Sequence, residues 1–174
     1  ESNARSAFPL SDLELAWRLS FFMWSQGPDD ALLKIATDGE LNRPEVLVAQ
    51  ARRMLADSRA SSLVRNFALK WLNVDNLNEV QPDPLLFPSF NDALRKDFAV
   101  EIESFVSSVL LQDRSVNDLL TANHTFVNER LARHYGMTDV LGPQFRRVEL
   151  QNPQRWGLLG KGAVLLRTSY GDRT

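Results

Sequence analysis

Between Ser89 and Gln112 the chain carries apolar residues at Phe90, Leu94, Phe98, Ile102, Phe105, Val109 and Leu110. Steps of three and four sustained over this distance fit the period of a helix and not that of a strand. Such a helix reaches roughly 35 Å at a rise of 1.5 Å per residue. A stripe that long is stable only when other elements cover it. The rest of the chain must therefore supply partners, and it supplies helices.

Ser11-Asp12-Leu13-Glu14 has the form of a capping box, in which Ser and Glu satisfy each other's backbone donors. Leu15, Ala16, Leu19, Phe22 and Met23 follow, with Phe21 and Trp24 widening the stripe. That girth predicts a first helix deep in the core. Gly27-Pro28 ends it, and Pro28 with Asp29 and Asp30 opens the next. Asn42, with Glu45 three residues on, is expected to cap a third helix with Leu47, Ala51, Met54 and Leu55 inward. Leu63, Val64, Phe67, Ala68, Trp71 and Leu72 predict a fourth, which makes Trp71 as well as Trp24 a core residue. Pro82, Pro84 and Pro88 forbid a helix through the acidic connector, which Leu85, Leu86 and Phe87 are expected to pin to the core. Ser115 caps a short helical turn. Asn128 begins another helix, which Gly136 ends. Val148 and Leu150 alternate with Arg147 and Glu149, a short strand. A last helix is expected from Trp156 to about Leu166. The expectation is an all-α fold: about eight helices in one compact orthogonal bundle, with at most one short strand near the C-terminal end. Residues 1–136 form one helical domain. Residues 137–174 begin an adjoining domain packed on it.

Composition removes several chemistries. Among 174 residues there is no cysteine and there are two histidines, His124 and His134. Disulfides, thiolate metal sites, cysteine nucleophiles and covalent c-type haem attachment are excluded from this stretch, as is a multi-histidine metal centre. Lys and Arg total 20 against 22 Asp and Glu, so no general nucleic-acid footprint is expected. No run approaches the roughly 20 apolar residues of a transmembrane helix. The chain starts at Glu1 rather than methionine and is expected to be a processed or excised piece.

Local motifs for catalysis are weak. Gly157, Gly160 and Gly162 lack the dinucleotide-binding spacing and are read as points of close helix approach. Glu101 and Glu103, two residues apart, lie on different helix faces. Glu101, at the stripe's edge, is expected to be half-buried and to need a cationic partner. His124 and His134 are not at a metal-ligand spacing. Ser169 and Tyr170 have no base nominated beside them. From His124 onward eight basic residues face four acidic ones, a positive end that suits an acidic surface or a carboxylated cofactor. Exposed Trp17 or Trp156 would suit a protein-binding scaffold.

Taken in order, several blocks resemble one family. They are Glu14-Leu15-Ala16-Trp17-Arg18-Leu19-Ser20-Phe21-Phe22-Met23-Trp24-Ser25, Pro28-Asp29-Asp30, Ala51-Arg52-Arg53-Met54-Leu55-Ala56-Asp57 and Arg65-Asn66-Phe67-Ala68 with Trp71-Leu72. Asp83-Pro84 with Leu86-Phe87-Pro88, Asp113-Arg114-Ser115, the run Thr125 to Gly136, and Gly157-Leu158-Leu159 with Thr168-Ser169 continue the series. The sequence resembles the adjoining domains of unknown function in large secreted bacterial proteins of the planctomycete cytochrome c type.

That resemblance implies an extracytoplasmic, non-catalytic helical module that supports or docks haem-bearing segments for electron transfer. This chain itself would bind no haem covalently. Haem c is expected on neighbouring segments, because in the family a Cys-x-x-Cys-His attachment motif follows the Thr-Ser block. The partners expected are cytochrome c modules or the remainder of a longer polypeptide, with no nucleic acid and no transmembrane segment. Arg130, His134, Arg147 and Arg173 are the candidate contact residues, since arginine forks suit haem propionates. The competing reading is an enzyme domain drawing paired carboxylates from Glu101, Glu103, Asp29 and Asp30.

Overall fold

The computed structural model describes residues 9–169. The fold is all-α, with one small two-stranded antiparallel sheet. The chain divides into two units, Glu1–Leu63 and Val64–Thr174. Among the described residues no helix is long and apolar enough to cross a membrane.

The first unit contains α1 (Asp12–Trp24), α2 (Asp30–Thr37), α3 (Pro44–Ala56), a 3-10 turn at Ser58–Ala60 and α4 (Ser61–Leu63). The capping box forms as expected: the Glu14 carboxylate accepts from the Ser11 amide at 2.9 Å, and Ser11 Oγ accepts from the Glu14 amide at 3.3 Å. α1 buries Ala16, Ser20, Met23 and Trp24, a single helical face. Leu13, Trp17, Phe21 and Phe22 are about half exposed, so α1 is not sunk in the core as its girth suggests. A stripe wider than its partner surface leaves its edges out. Asn42 does not cap α3; its amide donates to Asp12 and to the Leu10 carbonyl, and Arg43 precedes Pro44 at the first helical position. Asp29 caps α2 by accepting from the Leu32 amide at 3.0 Å. Its carboxylate also holds the Arg53 fork at 2.8 and 3.0 Å and Arg59 at 3.2 Å. Arg59 lies 3.5 Å above the Trp24 ring, whose indole donates to the Met54 carbonyl at 3.0 Å. Buried Trp24 is thus pinned from its face and its edge.

The second unit opens with a π-helical turn, Val64–Ala68, followed by α5 (Leu69–Trp71). Trp71 is 68% exposed, not core, because the wider turn lies between it and Leu63 in the i+4 series. The dominant element is α6 (Asp92–Leu110), capped by Asn91. Leu94, Phe98, Ile102, Phe105, Val106 and Val109 are all buried on it. At roughly 1.5–3 kcal/mol per fully buried large side chain, this stripe is the main source of the unit's cohesion. Around it stand α7 (Asp118–Thr121), α8 (Glu129–His134), α9 (Gly162–Thr168) and the sheet, β1 (His124–Val127) with β2 (Arg146–Glu149). Thr125 pairs with Val148 and Phe126 with Arg147, and β1 packs against α6.

Two further expectations are corrected here. Leu85, Leu86 and Phe87 do not pin the connector; Leu85 is 89% exposed. Their turn closes on itself, with the Asp83 carboxylate accepting from the Leu85 amide at 2.8 Å. The connector's buried anchors are Val74 and Leu77, and buried Arg95 of α6 donates to the carbonyls of Leu77 and Val80 at 3.0 and 2.8 Å. The last helix begins at Gly162 rather than Trp156, because Pro153–Arg155 is a 3-10 turn and Gly157 takes a left-handed φ of 59°.

Candidate functional site

Within the second unit, three segments converge beside α6. They are the end of α8, the stretch from Arg155 into α9, and the connector before α6. At their junction lies a cleft of about 980 Å³ with an apolar floor that includes Phe87, Phe90, Phe98, Leu165 and Leu166. Its polar rim comprises Glu79, Asp83, His134, Arg155 and Arg167, with Ser89 and Ser169. A second, more polar cleft of about 610 Å³ is lined by Asn91, Leu94, Arg130 and Arg133. Ser89 and His134 line both.

The back wall is built on a buried polar group. Glu101 is fully buried, not half-buried, and accepts from Thr125 Oγ1 at 2.5 Å, Tyr135 Oη at 2.6 Å and the Gly162 amide at 3.3 Å. Burial raises its pKa, while these donors and the charge of Lys161 oppose the rise. Tyr135 Oη also accepts from the Gly162 amide at 2.9 Å. Burial, and then the Glu101 charge, push the phenol pKa up, so it remains a donor. Lys161, also fully buried, donates to the carbonyls of His124 at 3.0 Å and Arg155 at 3.3 Å. Desolvation brings its pKa down to about 8. The glycines complete the wall. A Cβ on Gly162 would overlap the Phe98 ring, and one on Gly160 the Arg155 backbone.

The two histidines differ. His124 is buried between the rings of Phe105 and Phe126. Ser108 Oγ donates to the Phe105 carbonyl at 2.7 Å and meets His124 Nε2 at 3.0 Å, so the imidazole is the Nε2–H donor. Its Nδ1 has no hydrogen-bond partner among the described residues. Desolvation, with the charges of Arg147, Arg114 and Lys161, brings the His124 pKa down to about 4. His134 is exposed to both clefts, yet packs against Phe98 and Tyr135 at ring centroid distances of 5.4 and 5.5 Å. Desolvation on that side, then the Arg155 charge, lower its pKa. Among the described residues no group of three or more His, Cys, Asp and Glu side chains could hold a metal ion.

The family model described as Protein of unknown function (DUF1592), PSD4, matches residues 10–137. The chain belongs to that family. No curated protein and no solved structure matches it.

In this DUF1592 member the structure brings together two of the residues singled out in the sequence: Arg130 and His134 both line the smaller cleft. Arg130 is held by Asp97 at 2.5 and 2.9 Å, which raises the guanidinium pKa. Arg147 lies exposed on β2 and lines neither cleft, and Arg173 and Tyr170 lie outside the described residues. Of the carboxylates considered for catalysis, none lines either cleft. Glu101 is sealed, Glu103 pairs with Arg65 at 3.0 Å, Asp29 is bound by two arginines, and Asp30 starts α2. The residues missed are Arg155 and Arg167, which carry the larger cleft's positive charge. The excess of basic residues after His124 was the signal. What it lacked was the turn at Pro153–Arg155, which aims Arg155 into the cleft.

Proposed function

We propose that this DUF1592 chain is a helical docking module of an extracytoplasmic c-type cytochrome protein, holding haem-bearing segments for electron transfer. The observation that supports this reading is the larger cleft, an apolar floor with arginines at its rim and Glu101 sealed behind it. A haem-bearing partner presents both an apolar edge and carboxylates, and such a cleft offers complements to both. The chain has no cysteine for thioether attachment, so the haem belongs to the neighbouring segment. His134, Arg155 and Arg167 are the side chains that would orient its acidic groups.

The test is titration of the full chain with a ferric c-type cytochrome domain at low ionic strength, followed by calorimetry and by the haem's visible spectrum. Docking predicts saturable binding that weakens as salt is raised, because charge contacts are screened over about 10 Å at 0.1 M. No binding at low salt refutes it.

A further inference from the structure

The arginines lining the two clefts are not equivalent. Arg130 is committed to Asp97, Arg133 to Glu129, and Arg167 lies 3.8 Å from Glu79. Arg155 alone among them has no carboxylate partner among the described residues; its guanidinium stands 4.6 Å from the Tyr135 ring centroid. It is also held in place. Its carbonyl accepts from buried Lys161, its backbone packs directly on Gly160, and Tyr135 beneath it is hydrogen-bonded to Glu101. A guanidinium positioned at such cost in buried polar groups, and left without an anion, is ready to receive one.

The surroundings narrow the ligand. His134 shares the cleft with Arg155, and its ring nitrogens have no protein partner among the described residues, so it can add a donor. The carboxylates on the same rim are already engaged: Glu79 by Arg167, and Asp83 by the Leu85 amide. Below the rim lies an apolar floor formed by Phe90, Phe98, Leu165 and Leu166. A small inorganic anion would leave that floor empty, and an uncharged apolar molecule would leave Arg155 unpaired.

We infer that Arg155, with His134 beside it, is the carboxylate seat of the larger cleft, and that the cleft takes an apolar carboxylic acid. The acid enters tail-first onto the phenylalanine and leucine floor, with its carboxylate on the guanidinium fork. This rests on the docking reading only in sharing its cleft. The same chemistry is offered by a free alkyl acid and by the propionate edge of a macrocycle.

Calorimetry on the full chain separates these sources with two probes, dodecanoate and iron-free protoporphyrin IX, each beside its methyl ester. At least one acid is expected to bind, its ester to bind much more weakly, and Arg155→Met to raise the dissociation constant roughly tenfold or more. Arg155→Lys, which keeps the charge but loses the fork, is expected to fall between. Arg167→Met, altering an arginine already paired, is expected to have the smaller effect. An unchanged urea midpoint confirms that each variant is folded. Binding by dodecanoate alone identifies a free acid as the ligand, and binding by the porphyrin alone a macrocycle edge. The inference is overturned if neither acid binds, if ester and acid bind alike, or if Arg155→Met leaves affinity unchanged. A cytochrome domain that binds the chain while neither acid does sinks this assignment and leaves docking standing. Acid binding without cytochrome binding does the reverse.

Discussion

Tyr135→Phe isolates the buried polar group behind the cleft. The substitution removes one oxygen that donates to Glu101 at 2.6 Å and accepts from the Gly162 amide at 2.9 Å. A hydrogen bond to a charged acceptor contributes about 1.5–3 kcal/mol, and a buried partner left bare loses its full desolvation cost. The Gly162 amide keeps Glu101 as an acceptor at 3.3 Å, so most of the loss falls on the carboxylate. The expected destabilisation is about 2–3 kcal/mol. With a urea slope of about 2 kcal/mol per M, the unfolding midpoint falls by roughly 1 M. The assay is urea unfolding at pH 7 followed by far-UV circular dichroism. A double-mutant cycle with Glu101→Gln should give a coupling of about 1 kcal/mol or more, because the two groups touch. Thr125→Val, which removes the bond to the other carboxylate oxygen, tests whether both oxygens matter. A midpoint shift below about 0.3 M for Tyr135→Phe, with no coupling to Glu101, would refute the view that this hydroxyl organises the wall.

Other perturbations reach different parts of the molecule. Gly162→Ala forces a methyl group into the Phe98 ring and is expected to cost roughly 1–3 kcal/mol, read as a lower melting temperature. His124 titrates near 4 when folded and near 6.5 when unfolded, so the unfolded chain takes up the proton first as pH falls. Its contribution is complete above pH 6.5 and is lost down to about pH 4; His124→Phe should flatten the pH dependence of the urea midpoint in that window, and an unaltered slope would count against it. Asp29 is held at about 2 chiefly by Arg53, so its contribution fades as pH drops from about 4 to 2. In Arg53→Met, an NMR titration should find the Asp29 carboxyl closer to its ordinary value; no movement means Arg53 does not hold it. Arg95→Met removes the donors to the Leu77 and Val80 carbonyls, and hydrogen exchange should quicken across residues 77–81, whereas unchanged protection would show that the connector holds itself.

Apolar period locates the helices even where a cap signal fails, as at α3, which Arg43 and Pro44 open in place of Asn42. The Ser11–Glu14 box and the α6 stripe stand where their residues say. Exposure is harder to read. Leu13, Trp17 and Phe21 are as apolar as Met23 and Trp24, and only the packing of α1 decides which face is covered. β1 had no signal because three of its four residues are buried, so it lacks the alternation of a one-sided strand. The π turn at Val64–Ala68 is invisible to an i+4 count, since the widening is in the backbone. At the cleft, His134 and Arg130 were legible as a positive cluster, while Arg155 depended on the irregular turn that brings its backbone onto Gly160 and Lys161 and on the Tyr135–Glu101 pair, which is distant in sequence.

Arg95 has a consequence for how this cleft can change. It grips the connector chiefly by main-chain oxygens, which every amino acid possesses, with the Gln81 side chain adding a longer contact at 3.5 Å. The loop's path is therefore dictated from the long helix beneath it. The side chain of Val80, a position Arg95 holds only by its carbonyl, is left at liberty to be exchanged, so the lip can be altered for a new guest while its outline stays the same.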